Sequence, residues 1–354
     1  MTQAHINQIG TARPPHDIHA AFQNFTARGL SSERHRALFQ RMARRAGISH
    51  RYSVLHEDGL VEAHSPQPGF YRRGLFPGTA RRMKTYADHA PDLAEQAVRR
   101  LDLQGRVGDI THLIVASCTG FVAPGLDQLL AARLGLRADL QRTMVGFMGC
   151  AAAVPALRLA QAAILADPKA RVLVVNLELC TLHMQETDEL ETALTFLLFG
   201  DGATAALVTA EPHGLALEDF RTMTIPDSED CITWHVGDHG FLMHLSGRVP
   251  SRIAVALRAH PEVILRGEGT QALQLWAVHG GGRSVLDAVE HAFGLEASAL
   301  APSRAVLDAH GNMSSATVMF VLANMLRTAQ PGQRGLAIAF GPGMVTETFR
   351  FMAR

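Results

Sequence analysis

Cysteine is scarce in this chain: Cys118, Cys150, Cys180 and Cys231 are all it has, far apart and with no CxxC pair. That spacing excludes a disulfide scaffold and offers no zinc-ligand pattern, so no metal site is expected and one thiol is free to act chemically. Net charge is missing as well. Lysine plus arginine and aspartate plus glutamate stand at 33 each, which gives no overall field for nucleic acid or an anionic membrane. No run of about 18 apolar residues announces a membrane span, and the N-terminal stretch MTQAHINQIGTARPPHDIHA lacks the basic-then-apolar layout of a secretory signal, so a cytoplasmic location is expected. With 19% charged and 47% hydrophobic residues in 354, the chain can bury a large core, as one big domain or two closely packed ones, and its partner is expected to be small.

What is present alternates between helix and strand. Residues 1–30 read as polar and irregular. Residues 33–47 read as an amphipathic helix with Leu38, Phe39 and Met42 inward and arginines outward, followed by a loop-rich stretch at 50–85. Helical patterns recur at 91–103, 124–134, 151–166, 250–266, 284–293 and 313–328. Buried-strand runs occur at 111–117, 171–176, 203–209, 215–224, 241–245, 276–278, 335–340 and 345–351. The pattern is α/β with buried sheets. Gly149-Cys150 opens an Ala-rich helix and Gly311-Asn312 opens a similar small-residue helix before an apolar strand. Both a duplicated unit and chance likeness explain that echo. The expected boundary lies near Pro212-His213-Gly214, dividing the chain into halves 1–212 and 213–354.

Three residues stand where chemistry could occur. Cys150, in TMVGFMGCAAAVPALRLA, sits at the expected start of a helix, where unpaired amides and the helix dipole favour a thiolate, although a lone cysteine is more often inert core. His279 closes the run Leu275-Trp276-Ala277-Val278 before three glycines, which puts an imidazole at a strand tip; as one of 18 histidines it could equally be ordinary core or surface. Asn312 by itself would pass for a helix cap.

Read together, the contexts WAVHGGGRSVLD, HGNMSSATVMFVL, FGDGATAALV and AFGPGMVTE resemble successive signature blocks of the chalcone-synthase-like type III polyketide synthases, in that family's order, with the resemblance running from about residue 33 to 351. The resemblance implies a thiolase-like fold, a duplicated layered α-β-α-β-α architecture, and a homodimer. It assigns Cys150 as nucleophile with His279 and Asn312 as catalytic partners: Cys150 takes an acyl group from acyl-CoA, with His279 as imidazolium pairing the thiolate. His279 and Asn312 then stabilise the enolate left when malonyl-CoA loses carbon dioxide. No cofactor beyond the two CoA substrates and no acyl carrier protein is implied.

The resemblance also places CoA contacts at Leu38, Arg41 and Arg45, with leucine where plant members carry lysine; Arg41 and Arg45, four apart, would share a helix face. It makes Phe199 and Met243 the gate between tunnel and cavity. His183, Trp234, Ser314, Gly341, Pro342 and Gly343 fall on the cavity wall, and Cys118 and Ala123 beside a loop that borders the dimer interface. Trp234 replaces the glycine usual in plant members, which disfavours a bulky aromatic starter. With Met243, it makes the chain similar to bacterial alkylpyrone and alkylresorcinol synthases. Two other readings are a β-ketoacyl synthase of the fatty-acid initiation type, against which the GNMSSA and FGPG blocks argue, and a non-catalytic acyl-CoA-binding relative, against which the intact triad argues.

Overall fold

A computed structural model describes residues 2–103 and 105–354. Strands run β1 (His5–Ala12), β2 (His16–Asp17), β3 (Tyr52–Ser53), β4 (Leu60–Val61), β5 (Tyr71–Arg72), β6 (His112–Ala116), β7 (Gln141–Val145), β8 (Val172–Leu179), β9 (Asp201–Thr209), β10 (Leu215–Thr224), β11 (Ile232–Gly237), β12 (Gly240–Leu245), β13 (Leu275–Val278), β14 (Arg334–Gly341) and β15 (Val345–Ala353). The helices are α1 (His19–Gly29), α2 (Glu33–Ala43), α3 (Thr79–Val98), α4 (Leu126–Leu134), α5 (Ala153–Ala166), α6 (Leu190–Phe196), α7 (Val249–Ala259), α8 (Pro261–Leu265), α9 (Arg283–Phe293), α10 (Ala301–His310) and α11 (Ala316–Thr328).

Nine strands join in the order β13-β14-β15-β10-β1-β9-β8-β6-β7. Outward from the antiparallel β1/β10 pair, each side repeats two antiparallel pairings and then a parallel one: β1–β9, β9–β8 and β8–β6 on one side, β10–β15, β15–β14 and β14–β13 on the other. The echo between the helices after Cys150 and Asn312 therefore has a counterpart in topology, since α5 precedes β8 as α11 precedes β14.

Layering explains the apolar runs. Val172 and Val174 of β8 face one core with Val154 and Leu157 of α5 and Val318 and Met319 of α11, whereas Leu173, Val175 and Leu177 face a second core with Leu93 and Ala97 of α3. On the other side Ala337 and Ala339 of β14 join the central core, while Leu336 and Ile338 meet Ile253 and Leu257 of α7 and Val289 of α9. Strands covered on both faces need not alternate with polar residues. The result is the expected thiolase-like stack of helix, sheet, paired central helices, sheet and helix. Segment Gly149–Ala166 is apolar and long enough to cross a membrane by composition, which the sequence reading passed over; it is half-buried, with α5 packed in the central core.

Several sequence expectations need correction. Residues 1–30 are not irregular: they hold α1 and β1, and β1 lies mid-sheet. Its polar Asn7 hid it, yet that side chain donates to the carbonyls of Glu211 (3.0 Å) and His213 (2.9 Å) and accepts from Thr209 Oγ1 (2.7 Å). Helix α3 begins at Thr79, and Pro91, read as a helix start, lies inside it. The helix expected at 250–266 breaks at His260, because Pro261 cannot donate to the preceding turn and starts α8 instead. Strand β11 and helix α10 were not read. Met42 is 47% exposed rather than inward. The turn at Pro212-His213-Gly214, where the two halves were expected to divide, joins β9 of one arm of the sheet to β10 of the other.

Candidate active site

A cavity of about 840 Å³ opens between α2, α6, α7 and the start of α9 and runs inward to the ends of α5 and α11. Cys150, His279, Asn312, Ser314, Phe199, Met243, Trp234, Cys118, Gly341 and Pro342 line it, as do Leu38, Arg41 and Arg45. Residues more than 160 positions apart in sequence are thus gathered at one inner end.

Cys150 sits in a 3-10 turn, Gly149–Ala151, that feeds α5. Gly149 is needed there: its φ is +56°, and a Cβ would collide with the Pro342 ring, so the nucleophile turn and the Gly341-Pro342 loop interlock. Phe147, Ser314 and Met344 also hold positive φ (55°, 49° and 55°) around the same end. Non-glycine residues in this conformation cost on the order of 1 kcal/mol each, and such backbone clusters where a site over-determines it.

The Asn312 amide is fixed from both ends. Its Oδ1 accepts from Ser314 N (2.8 Å) and lies 3.9 Å from Cys150 Sγ, and its Nδ2 donates to Gly281 O (3.2 Å). His279, only 1% exposed, has no hydrogen-bond partner among the described residues on either ring nitrogen. Buried polar atoms are rarely left so, and in a cavity wall they mark where a ligand atom belongs. Burial opposes charge on both groups: it pushes the Cys150 thiol up to about 11, against the side-chain contacts with Ser314 and Asn312, and pulls His279 down to about 4. The ion pair expected from the sequence therefore has to draw on the mutual attraction of two charges formed together.

Family models for chalcone and stilbene synthases match the chain twice, the N-terminal domain over residues 1–212 and the C-terminal domain over 217–353. The chain belongs to the chalcone and stilbene synthase family. It is 34% identical to bisdemethoxycurcumin synthase of Oryza sativa subsp. japonica, covering 97% of this chain and 91% of that protein. It is 33% identical to the alpha-pyrone synthesis polyketide synthase-like Pks18 of Mycobacterium tuberculosis, covering 78% and 74%. Among solved structures it is similar to the C-terminal type III polyketide synthase domain of Steely1 from Dictyostelium (TM-score 0.89, 25% identity, 99% of both chains). It is similar also to PKS-I of the brown alga Ectocarpus siliculosus (TM-score 0.88, 28% identity, 100% of this chain and 99% of that one). This chain is thus a type III polyketide synthase, an acyl-transferring enzyme that works on CoA thioesters without a carrier protein.

Within this synthase two residues expected on the wall, His183 and Gly343, lie elsewhere. His183 is fully buried behind the wall: Nε2 donates to Thr119 O (2.7 Å) and Nδ1 accepts from Phe241 N (3.0 Å), with the ring stacked on Phe241 and edge-on to Trp234. Burial drives it to about 3, so it is a neutral spacer. Ala123 is exposed, in the loop after Cys118, and Gly343 shapes the turn after Pro342 without facing the cavity. Arg45 lies past the end of α2, so it does not share a helix face with Arg41, though both reach the mouth; Leu38 and Met42 give that mouth its apolar side.

Sequence reasoning missed Glu178. Buried at the end of β8, it accepts from Cys118 N (3.0 Å), Thr119 Oγ1 (2.9 Å) and Ser315 Oγ (2.6 Å), tying the loop beneath the nucleophile to the residue before α11. Desolvation pushes it up to about 7 against those bonds. A lone acid in the apolar run VLVVNLEL was the available signal. Arg283, Leu190, Leu194 and Ile253 also line the cavity and carried no signal in the sequence.

Proposed function

We propose that this synthase extends an aliphatic acyl-CoA starter with malonyl-CoA on Cys150 and releases an alkyl α-pyrone or resorcinol. The observation that carries this reading is the cavity itself, which unites Cys150, His279 and Asn312 at its inner end, two arginines at its mouth, and Trp234 on its wall. Cys150 passes its proton to His279, its sulfur attacks the starter thioester, and CoA leaves with a proton. Malonyl-CoA then loses carbon dioxide. The electron pair of the broken bond moves onto the thioester oxygen, which takes hydrogen bonds from His279 and from the second N–H of Asn312 Nδ2, the first being held by Gly281 O. The carbanion attacks the Cys150 thioester, expelling the Cys150 thiolate, which then takes the lengthened chain back from its CoA thioester and releases the CoA thiolate. Arg41 and Arg45 meet the CoA phosphates; Phe199 and Met243 gate the passage. The sequence of steps uses no further cofactor, because the thioester carbonyl itself accepts the electron pair.

The size of Trp234 supports an aliphatic over a bulky aromatic starter, and similarity to Pks18, named for alpha-pyrone synthesis, agrees with it. A homodimer is part of the proposal. It is supported by β7, last in the sheet, whose Met144 is 40% exposed, and by Phe121, 49% exposed beside Ala123. A cytoplasmic location, where CoA esters are made, goes with it. Mass spectrometry of products from malonyl-CoA and a panel of starters tests the reading: aliphatic pyrones or resorcinols are expected, and exclusive use of aromatic starters would overturn it.

A further inference from the structure

Arg51 is 1% exposed and lies outside the cavity, behind its wall. A buried cation must be compensated, yet no carboxylate among the described residues stands within ion-pair distance of it. Its guanidinium instead spends its donors on neutral acceptors: Nη1 donates to the backbone carbonyls of Phe196 (2.7 Å) and Phe199 (3.1 Å), and Nε donates to the His19 imidazole at Nδ1 (2.8 Å). Burial pulls Arg51 down to about 10, which leaves it charged at neutral pH, with Asp17 and Asp201 acting at longer range.

The carbonyls it holds belong to the segment that carries Asn312. Asn312 N donates to Leu198 O (2.8 Å) and Gly200 N donates to Asn312 O (3.0 Å), so both backbone groups of Asn312 pair on either side of Phe199. The stem of Arg51 also lies against the residue before Asn312. Gly311 has φ +68°, and a Cβ there would stand 2.8 Å from Arg51 Cγ and 2.8 Å from Leu198 O.

We propose that Arg51 is a positioning residue for decarboxylation: by fixing Phe199 and the backbone of Asn312 it aims the Asn312 amide at the enolate oxygen. The inference rests on the role given to Asn312 above. Displacements well under 1 Å in such donors weaken transition-state stabilisation steeply. Cys150 is held by a different element, the turn into α5, so its acylation draws on Arg51 only through the 3.9 Å contact between Cys150 Sγ and Asn312 Oδ1.

The test separates the two half-reactions in the full-length enzyme. Acylation of Cys150 by an acyl-CoA is followed by intact mass, and carbon dioxide release from malonyl-CoA is followed without starter. In Arg51→Lys, which keeps charge but loses the planar fork, acylation is expected to stay within about twofold and decarboxylation to fall about tenfold or more. His19→Leu, at a part-exposed site, removes the Nε acceptor together with the contact of His19 Nε2 to Gln23 Nε2 (2.7 Å) on the same helix, and serves where Arg51 variants fail to fold; the same selective fall, smaller, is expected. Equal losses in both steps, or no change in either, would overturn the proposal. An Asn312→Ala variant that decarboxylates normally would instead overturn the role of Asn312, and this inference with it.

Discussion

Trp234 and Cys118 are joined by a hydrogen bond in which the indole Nε1 donates to the Cys118 carbonyl at 2.8 Å. The indole lies on the β11–β12 hairpin, directly opposite Met243, and the loop of Cys118 lies beside Cys150. A side chain expected to fill volume is therefore also anchored to the loop under the nucleophile. His183 reinforces this, bridging Thr119 O to Phe241 N across its ring.

Trp234→Gly is expected to lengthen the dominant product by at least one malonyl-derived unit and to admit bulkier starters. Mass spectrometry of the product mixture checks this; unchanged product length and starter range would remove Trp234 as the limiting wall. Trp234→Phe, which keeps most of the ring but not the N–H donor, should give an intermediate profile.

Cys150→Ala should abolish chain extension and leave no acyl adduct in the intact-mass spectrum while the fold persists. Deleting one half-buried sulfur creates a cavity of little cost, about 1 kcal/mol. Condensation at the wild-type rate in this variant would sink the assignment of the nucleophile.

Glu178 gives a pH-dependent term in stability. Its pKa is raised from 4.5 to about 7 by desolvation, so the folded state holds a proton that the unfolded chain releases. Stability from this group is full below pH 4.5 and falls as pH rises towards 7, by a total on the order of 3 kcal/mol. Glu178→Gln can keep the bonds to Cys118, Thr119 and Ser315 and should flatten the curve of denaturation midpoint against pH across that window. Parallel curves for the two proteins would contradict the assignment.

Leu38→Lys restores a cation at the mouth beside Arg41. KM for malonyl-CoA should fall roughly two- to fivefold at low salt, with the gain lost as ionic strength rises and the Debye length shrinks below about 10 Å. A salt-independent change would mean that the residue acts through packing.

Much of the site was legible in the sequence because its residues sit in contexts that constrain backbone: Gly149 beside Cys150, the glycines after His279, Gly311 before Asn312. Fold class was legible through strands such as VLVVNLEL, whose unbroken apolarity requires cover on both faces. β1 was not, since the buried amide of its Asn7 is satisfied by Thr209, Glu211 and His213, far along the chain. His183 was misplaced for a related reason: a position on a wall segment says nothing of which way a ring turns, and two backbone partners turned this one inward. Arg51 gave no local sign of burial, and Glu178 only its place in an apolar run, because the groups that compensate them come from other elements.

The sequence by itself determined the chemistry and the class of fold, because a nucleophilic thiol, an imidazole, an amide donor and the period of apolar residues are local properties. Tertiary structure decided the cavity's shape, which charges are opposed by burial, and which residues face substrate rather than stand behind the wall. Those depend on distances between segments that the chain order leaves free, and only the packing of two sheet halves around α5 and α11 sets them.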